Sequence, residues 1–100
     1  MPNRFTEENR NLIFDLVCEE FVTDRQSVLS ATRCRREAAA RHMAMALMRV
    51  LLKCSITEIG KVFGRHYTMA ITALKKVEQD RELAEIAVRL AKQYKSNFSE

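Results

Sequence analysis

The stretch Ser55 to Gly64, SITEIGKVFG, specifies both ends of one helix. Ser55-Ile-Thr-Glu58 is a capping-box signature, in which Ser55 caps the helix and the Glu58 side chain reaches back to the Ser55 amide. Gly64 supplies the turn residue that ends such a helix at Phe63. Past the turn, Ile71, Leu74 and Val77 recur at helical spacing and predict a second helix from about Tyr67 to Gln79. Two helices joined by a tight glycine-containing turn make a helix-turn-helix, here over about residues 55–79. Composition agrees. The chain holds 2 glycines and 1 proline, too few for a β-rich fold, which needs turn residues about every 8–12 positions. Ala, Leu, Met, Arg, Glu and Lys, all strong helix formers, dominate instead. With 100 residues, 47% of them hydrophobic, one core is affordable. The expectation is an all-α, compact bundle of about six helices: a single domain over residues 1–100 with its core within about 7–95.

Upstream, Thr6 is a candidate N-cap for a first helix, with Glu7 and Glu8 in the first turn, where carboxylates suit the dipole. Ile13, Phe14, Val17 and Phe21 form its inward stripe. Val22-Thr23 interrupts it, and Asp24 can cap a short second helix that carries Val28 and Leu29 inward. SATRCRR, residues 30–36, reads as a basic loop feeding a third helix near Arg36 to Lys53. Met43, Leu47, Val50 and Leu51 mark the apolar stripe of that helix, with Arg41 and Arg49 on a cationic side. Asp80 can cap a last helix bearing Leu83, Ile86, Ala87, Leu90 and Tyr94. The tail from Ser96 is expected to fray.

The net charge of +4 conceals a segregation. Residues 30–76 carry ten Lys/Arg against two acids, whereas the remaining residues carry seven against eleven. Such segregation suits a polyanionic partner, while a merely solvated surface mixes its signs. Residues 1–20 hold acids and no long apolar run, so no signal peptide is expected. The apolar run Met43 to Met48 is far too short to span a bilayer, and no membrane role is expected. Cys18, Cys34 and Cys54 are odd in number and lack CxxC spacing, which argues for reduced, mostly packed thiols in a cytoplasmic compartment. Cys54, beside a helix N-terminus, is the one thiol whose pKa that position can lower. No Ser/His/Asp or Cys/His arrangement is legible, so no enzyme, metal site or cofactor is expected. The absence of a GxxxxGK(S/T) phosphate loop excludes an ATP site in this sequence.

In a helix-turn-helix the second helix enters the major groove and its N-terminal residues touch base edges. Those residues are His66, Tyr67, Thr68 and Met69, with Thr72 one turn on. They offer donors and acceptors for base edges and a thioether for thymine methyls. The first helix would lie across the backbone, bringing Ser55 and Thr57 to phosphates, with Lys75 and Lys76 placed for phosphate as well. Arg33, Arg35 and Arg36 can reach a narrow minor groove or clamp phosphates. The plainer alternative is a structural bundle in which His66 only caps its helix and Tyr67 half-buries its ring.

With these residues in view, the sequence resembles the C-terminal DNA-binding domain of the bacterial replication initiators, the DnaA family. SITEIGKVFGRHYTMAITALKKVE is similar to the family's serine-led helix, its EIG…FG turn and its GRDHTTV…A…K helix. RHMAMALMRVLL is close to the family's RQ(I/M)AM(Y/A)L helix. SATRCRR occupies the basic-loop position, and VCEEFVTDRQSVLS follows the opening helices without a gap. The resemblance runs from about Ile13 to Glu78. It implies a Trp-repressor/DnaA-C-like fold and double-stranded DNA as partner, in replication initiation or control or in transcriptional regulation. It also implies that Arg33 enters the minor groove, that Arg41 and Arg49 lie beside the DNA, that Arg65 opens the signature, and that Thr68 sits at base edges.

Departures from the family pattern cluster at that signature. The family's Asp is His66, its His is Tyr67, its second Thr is Met69, one glycine before Arg65 is missing, and its proline in the first helix is Thr57. An aspartate only accepts hydrogen bonds, while a neutral histidine can accept or donate. An altered or relaxed base preference is therefore expected. The chain is expected to be either a free-standing relative or an excised domain of an initiator. The competing function is a degenerate protein-interaction module, with the acidic first helix or the last helix offering a face to a partner or a second copy.

Overall fold

Each helix starts or stops where a side chain or a left-handed residue can satisfy the backbone. The computed structural model describes residues 7–30 and 34–97. These hold α1 (Glu7–Phe21), α2 (Arg25–Leu29), α3 (Arg35–Leu51), α4 (Ile56–Phe63), α5 (Tyr67–Gln79) and α6 (Arg81–Ser96). No strand occurs among the described residues, so the all-α expectation holds. Asp24 caps α2 by accepting the Ser27 amide at 2.8 Å, and Asp80 caps α6 through the Leu83 amide at 3.2 Å. Caps of this kind contribute about 1 kcal/mol each. The expected Thr6 cap lies outside the described residues. At its other end α1 stops at Val22, whose φ of 52° is left-handed, with the Thr23 amide donating to the Cys18 carbonyl at 3.0 Å.

The core is arranged around α3, which touches all five other helices. Residues 43–48 of α3 are buried without a break. Ile13, Phe14 and Val17 of α1, Val28 of α2, Ile59 and Phe63 of α4, and Leu90 and Tyr94 of α6 close around it. Each large apolar side chain so buried stabilises the fold by roughly 1.5–3 kcal/mol. Phe14 and Phe63 meet at 5.6 Å between ring centroids, tying α1 to α4. Across from α3, α5 presents Ala70 and Ala73, both fully buried. Small side chains let the two backbones come close, and the flexible Met43, Met45 and Met48 fill what remains.

Five expectations are corrected. Arg35 and Arg36 belong to the first turn of α3 rather than to the loop. The same helix ends at Leu51 rather than Lys53, because Lys53 adopts a left-handed φ of 55°. Val50 is 63% exposed; it sits with Val88 on an open apolar groove lined also by Leu74, Ala84, Ala87 and Ala91. Ile71 and Leu74, expected to be buried, are only half-buried, because the inner positions of α5 fall to its alanines. Phe21 is likewise half-buried. Among the described residues, no helix is long and apolar enough to cross a membrane.

Candidate nucleic-acid interface

The turn between α4 and α5 is built by a small set of backbone bonds. Ser55 Oγ accepts the Glu58 amide at 3.1 Å and Glu58 Oε1 accepts the Ser55 amide at 2.8 Å, so the capping box is complete. That amide bond, with the Ser55 hydroxyl, holds the Glu58 carboxyl below the usual carboxylate range. At the other end the Arg65 amide donates to the Gly60 carbonyl at 2.8 Å and the Gly64 amide to Lys61 at 3.2 Å. With Gly64 at φ 63°, these two bonds are the Schellman ending of a helix. Gly60 has a separate role. A Cβ there would lie 2.7 Å from the Arg65 carbonyl oxygen and 3.3 Å from the Tyr67 backbone, so the tight turn depends on its absence. Sequence reasoning had not singled out Gly60, though a glycine inside a helical pattern often marks a close backbone approach.

His66, in extended backbone geometry, caps α5. Its Nδ1 accepts the Thr68 amide at 3.3 Å and lies 2.9 Å from Thr68 Oγ1. The His66 and Tyr67 rings sit side by side, centroids 4.4 Å apart. Because Ala70, Ala73 and Val77 face inward, His66, Tyr67, Thr68, Met69, Thr72, Lys75 and Lys76 are left on the outer surface of α5, all exposed. Ser55 and Thr57 are also exposed, at the start of α4.

The arginines separate into two groups. Arg41 is buried, with 6% of its surface accessible; its Nε donates to the Val28 carbonyl at 2.9 Å and its Nη2 to the Ser30 carbonyl at 2.6 Å. A solvent-facing Arg41 beside DNA is thus corrected: its guanidinium clamps the C-terminal end of α2. Burial, and secondarily the charge of Arg65, lowers its pKa from the usual arginine value. Arg65, half-buried, donates from Nη2 to the same Ser30 carbonyl at 2.8 Å. One oxygen therefore joins α2, α3 and the helix-turn-helix turn at the point where the basic segment begins. Arg33, in that segment, lies outside the described residues.

Arg35 and Arg36 are exposed at the N-terminus of α3, where a cation opposes the helix dipole at a cost of about 0.3–1 kcal/mol. Arg36 pairs with Glu37 at 3.5 Å. Glu37 is held below the carboxylate range, first by a hydrogen bond from Cys34 and then by the Arg36 charge. Arg35 and Lys76 line one cleft together with His42, Phe21 and Leu83. There burial, with help from the charges of Lys76 and Arg41, pushes the His42 imidazole down to about 4. Arg49 is exposed along its stem, but its Nη1 donates to the Cys54 carbonyl at 2.9 Å, next to the Ser55 cap.

Residues 11–77 match the family model described as the bacterial dnaA protein helix-turn-helix. The chain belongs to the bacterial DnaA helix-turn-helix family. The chromosomal replication initiator protein DnaA of Synechococcus sp. (strain JA-2-3B'a(2-13)) is 36% identical to it over 98 residues, covering 89% of this chain and 21% of that protein. The protein of the same name from Lachnoclostridium phytofermentans is 38% identical over 71 residues, covering 70% of this chain and 16% of that protein. The chain thus spans about a fifth, or less, of the length of these curated relatives.

Against the DnaA pattern, the replaced signature residues His66, Tyr67 and Met69 all lie on the exposed face of α5. The cysteines carry no such exposure pattern. Cys54 is buried, its thiol donating to the Met48 carbonyl at 3.2 Å. Burial and the nearby Glu58 push it up to about 11, opposite to the lowering its position had suggested. Cys18 is half-buried and Cys34 exposed, so the expectation of mostly packed thiols fails at Cys34.

Proposed function

We propose that this chain is a sequence-preferring double-stranded DNA-binding domain acting in replication initiation or its control, or in transcriptional regulation. The observation that carries it is the exposed N-terminal face of α5, presented by a capped helix-turn-helix of the DnaA family. The relatives are chromosomal replication initiators by name, which favours replication among the outcomes. In this reading α5 enters the major groove, with its cap residue His66 and Tyr67, Thr68, Met69 and Thr72 at base edges. The basic segment containing Arg33 approaches the adjacent minor groove. Arg35, Arg36, Arg49 and Lys76 supply positive charge for phosphates, and Thr57 with the N-terminal amides of α4 supplies donors. Ser55 contributes chiefly by shaping that helix end, its hydroxyl already accepting the Glu58 amide. Arg65 acts from behind, holding the turn to α2. Arg41 has no DNA role in this scheme.

Binding of a duplex library across a salt series tests the reading. Log affinity should fall with log salt at a slope of roughly −4 to −6, from about five to six phosphate contacts. A slope near zero would overturn it. Selection of preferred sites from random duplex DNA should return a defined motif rather than an even spread of sequences.

A further inference from the structure

The histidine that caps the recognition helix is also the residue whose chemistry departs most from the family's at that position. We propose that His66 is a fixed hydrogen-bond donor that favours guanine over cytosine at one base pair of the DNA site. This rests on the reading of α5 as a major-groove helix.

The polarity of the ring follows from what it caps. A backbone N–H can only donate, so Nδ1, which receives the Thr68 amide at 3.3 Å, must carry the lone pair. Thr68 Oγ1, 2.9 Å from the same nitrogen, is placed to donate to it as well. In a neutral imidazole with Nδ1 unprotonated, the proton resides on Nε2. Turning the ring over would put a carbon in place of Nδ1 and abandon the cap. Both hydrogen bonds of His66 use Nδ1. The exposed residue therefore offers its surroundings one group, an Nε2–H donor.

At the N-cap of a recognition helix this donor lies beside the residues that touch base edges. In the major groove guanine presents two adjacent acceptors, N7 and O6, while cytosine presents only its N4 amino donors. An Nε2–H meets an acceptor on guanine and a second donor on cytosine. A carboxylate at the same place does the reverse, since it can only accept. Substituting His for Asp at this cap thus inverts the hydrogen-bonding polarity of one reading position while leaving the helix capped.

His66→Asp is the decisive variant, because aspartate is among the best N-caps and should preserve the fold. Site selection from random duplex DNA should show a position where the wild-type protein prefers guanine over cytosine by at least about tenfold, each good base contact being worth about 1–3 kcal/mol. In His66→Asp that one position should shift to cytosine, with the other positions and the salt slope retained. Identical selected motifs for the two proteins would overturn the inference. So would a wild-type preference for cytosine at the position the variant changes. Nitrogen-15 spectra of the imidazole in the DNA-free protein, recorded well above the ordinary histidine pKa of about 6.5, provide a readout independent of DNA. They should show Nε2 protonated; an Nδ1-protonated ring would overturn the inference while leaving DNA binding untouched. If neither protein binds any duplex even at low salt, the DNA reading itself fails and the base assignment falls with it.

Discussion

Two corners of the molecule use polar groups in opposite ways. At the α2 end, Arg41 and Arg65 converge on the Ser30 carbonyl, Arg41 also takes the Val28 carbonyl, and the ensemble lies inside or against the core. At the α5 tip, His66, Tyr67, Thr68 and Met69 face outward, and the internal hydrogen bonds there do no more than cap the helix. The difference is one of solvent. A guanidinium withdrawn from water must find acceptors, and the carbonyls at a helix C-terminus lack helical donors and carry the negative end of the dipole. Each satisfies the other. An exposed tip keeps its hydrogen-bonding capacity for whatever docks there. The inner corner should therefore govern stability, and the outer tip should govern recognition.

Substitution at the inner corner gives the largest expected effect. Arg41→Met keeps the apolar stem but leaves the Val28 carbonyl without its charged donor, and it should cost about 3 kcal/mol in urea unfolding. The salt slope of DNA binding should stay where it was. A changed slope with unchanged stability would reverse the roles assigned to the two corners.

Thr68→Ala tests the outer tip. It should weaken binding to the preferred site by about 1–3 kcal/mol and relax the preference at one position, while altering stability by less than about 1 kcal/mol. Lys76→Gln should instead weaken all sequences about equally and reduce the salt slope by about 1. A Thr68→Ala protein with unchanged motif and affinity would break the assignment of α5 to the groove.

Acid sharpens the contrast through His42, which lies behind α5 rather than on its outer face. Its folded pKa of about 4 lies below the ordinary value of 6.5. The unfolded chain therefore takes up this proton first, so stability is fully present above about pH 6.5, falls as pH drops towards 4, and changes no further from this residue below that. Allowing for partial solvent access, the loss is on the order of 1–2 kcal/mol. His42→Gln should flatten the stability profile between about pH 6.5 and 4. An unaltered slope in the variant would show that His42 is not the group responsible. Glu37 and Glu58, with pKa values below the usual 4.5, add a separate loss at lower pH, as they protonate.

The smallest effect compares two helix ends. Gly64 and Val22 are both left-handed, at φ 63° and 52°, yet only one is glycine. A β-branched residue resists that geometry. Val22→Gly should remove the strain and raise stability by up to about 1 kcal/mol, although glycine's larger unfolded-state entropy offsets part of the gain. Gly64→Val should lower stability and also loosen the recognition helix, seen as weaker DNA binding. Equal and opposite stability changes without a binding effect would mean that the turn does not position α5.

Local signals were the readable ones. The Ser55–Glu58 box, the Asp24 and Asp80 caps, the glycine at 64 and the limits of α5 all follow from short-range rules about who can satisfy a backbone amide or adopt a positive φ. The exposed set on α5 was legible for the same reason, since the inward positions of an amphipathic helix determine the outward ones. Arg41 and Arg49 defeated this approach. They lie on one helix and roughly one face, and nothing within ten residues on either side distinguishes them. Only the arrival of α2, bringing two bare carbonyls, draws Arg41 inside. Val50 and the inward alanines of α5 show the same limitation, because periodicity marks a stripe but not which part of it a neighbour covers.

The sequence by itself determined where α2, α4, α5 and α6 begin, that two of the helices form a capped helix-turn-helix, and which family motifs run through the chain. It also determined that the signature position holds a histidine rather than an aspartate. Tertiary structure decided what each charged group does there. It turned Arg41 and Arg65 inward onto Ser30, set Gly60 under the Arg65 carbonyl, silenced the thiol of Cys54 by burial and kept His42 neutral beside Lys76. The physical reason is range. Caps and turns are settled by neighbours a few residues away, whereas desolvation and the supply of acceptors depend on which distant segment packs against a side chain.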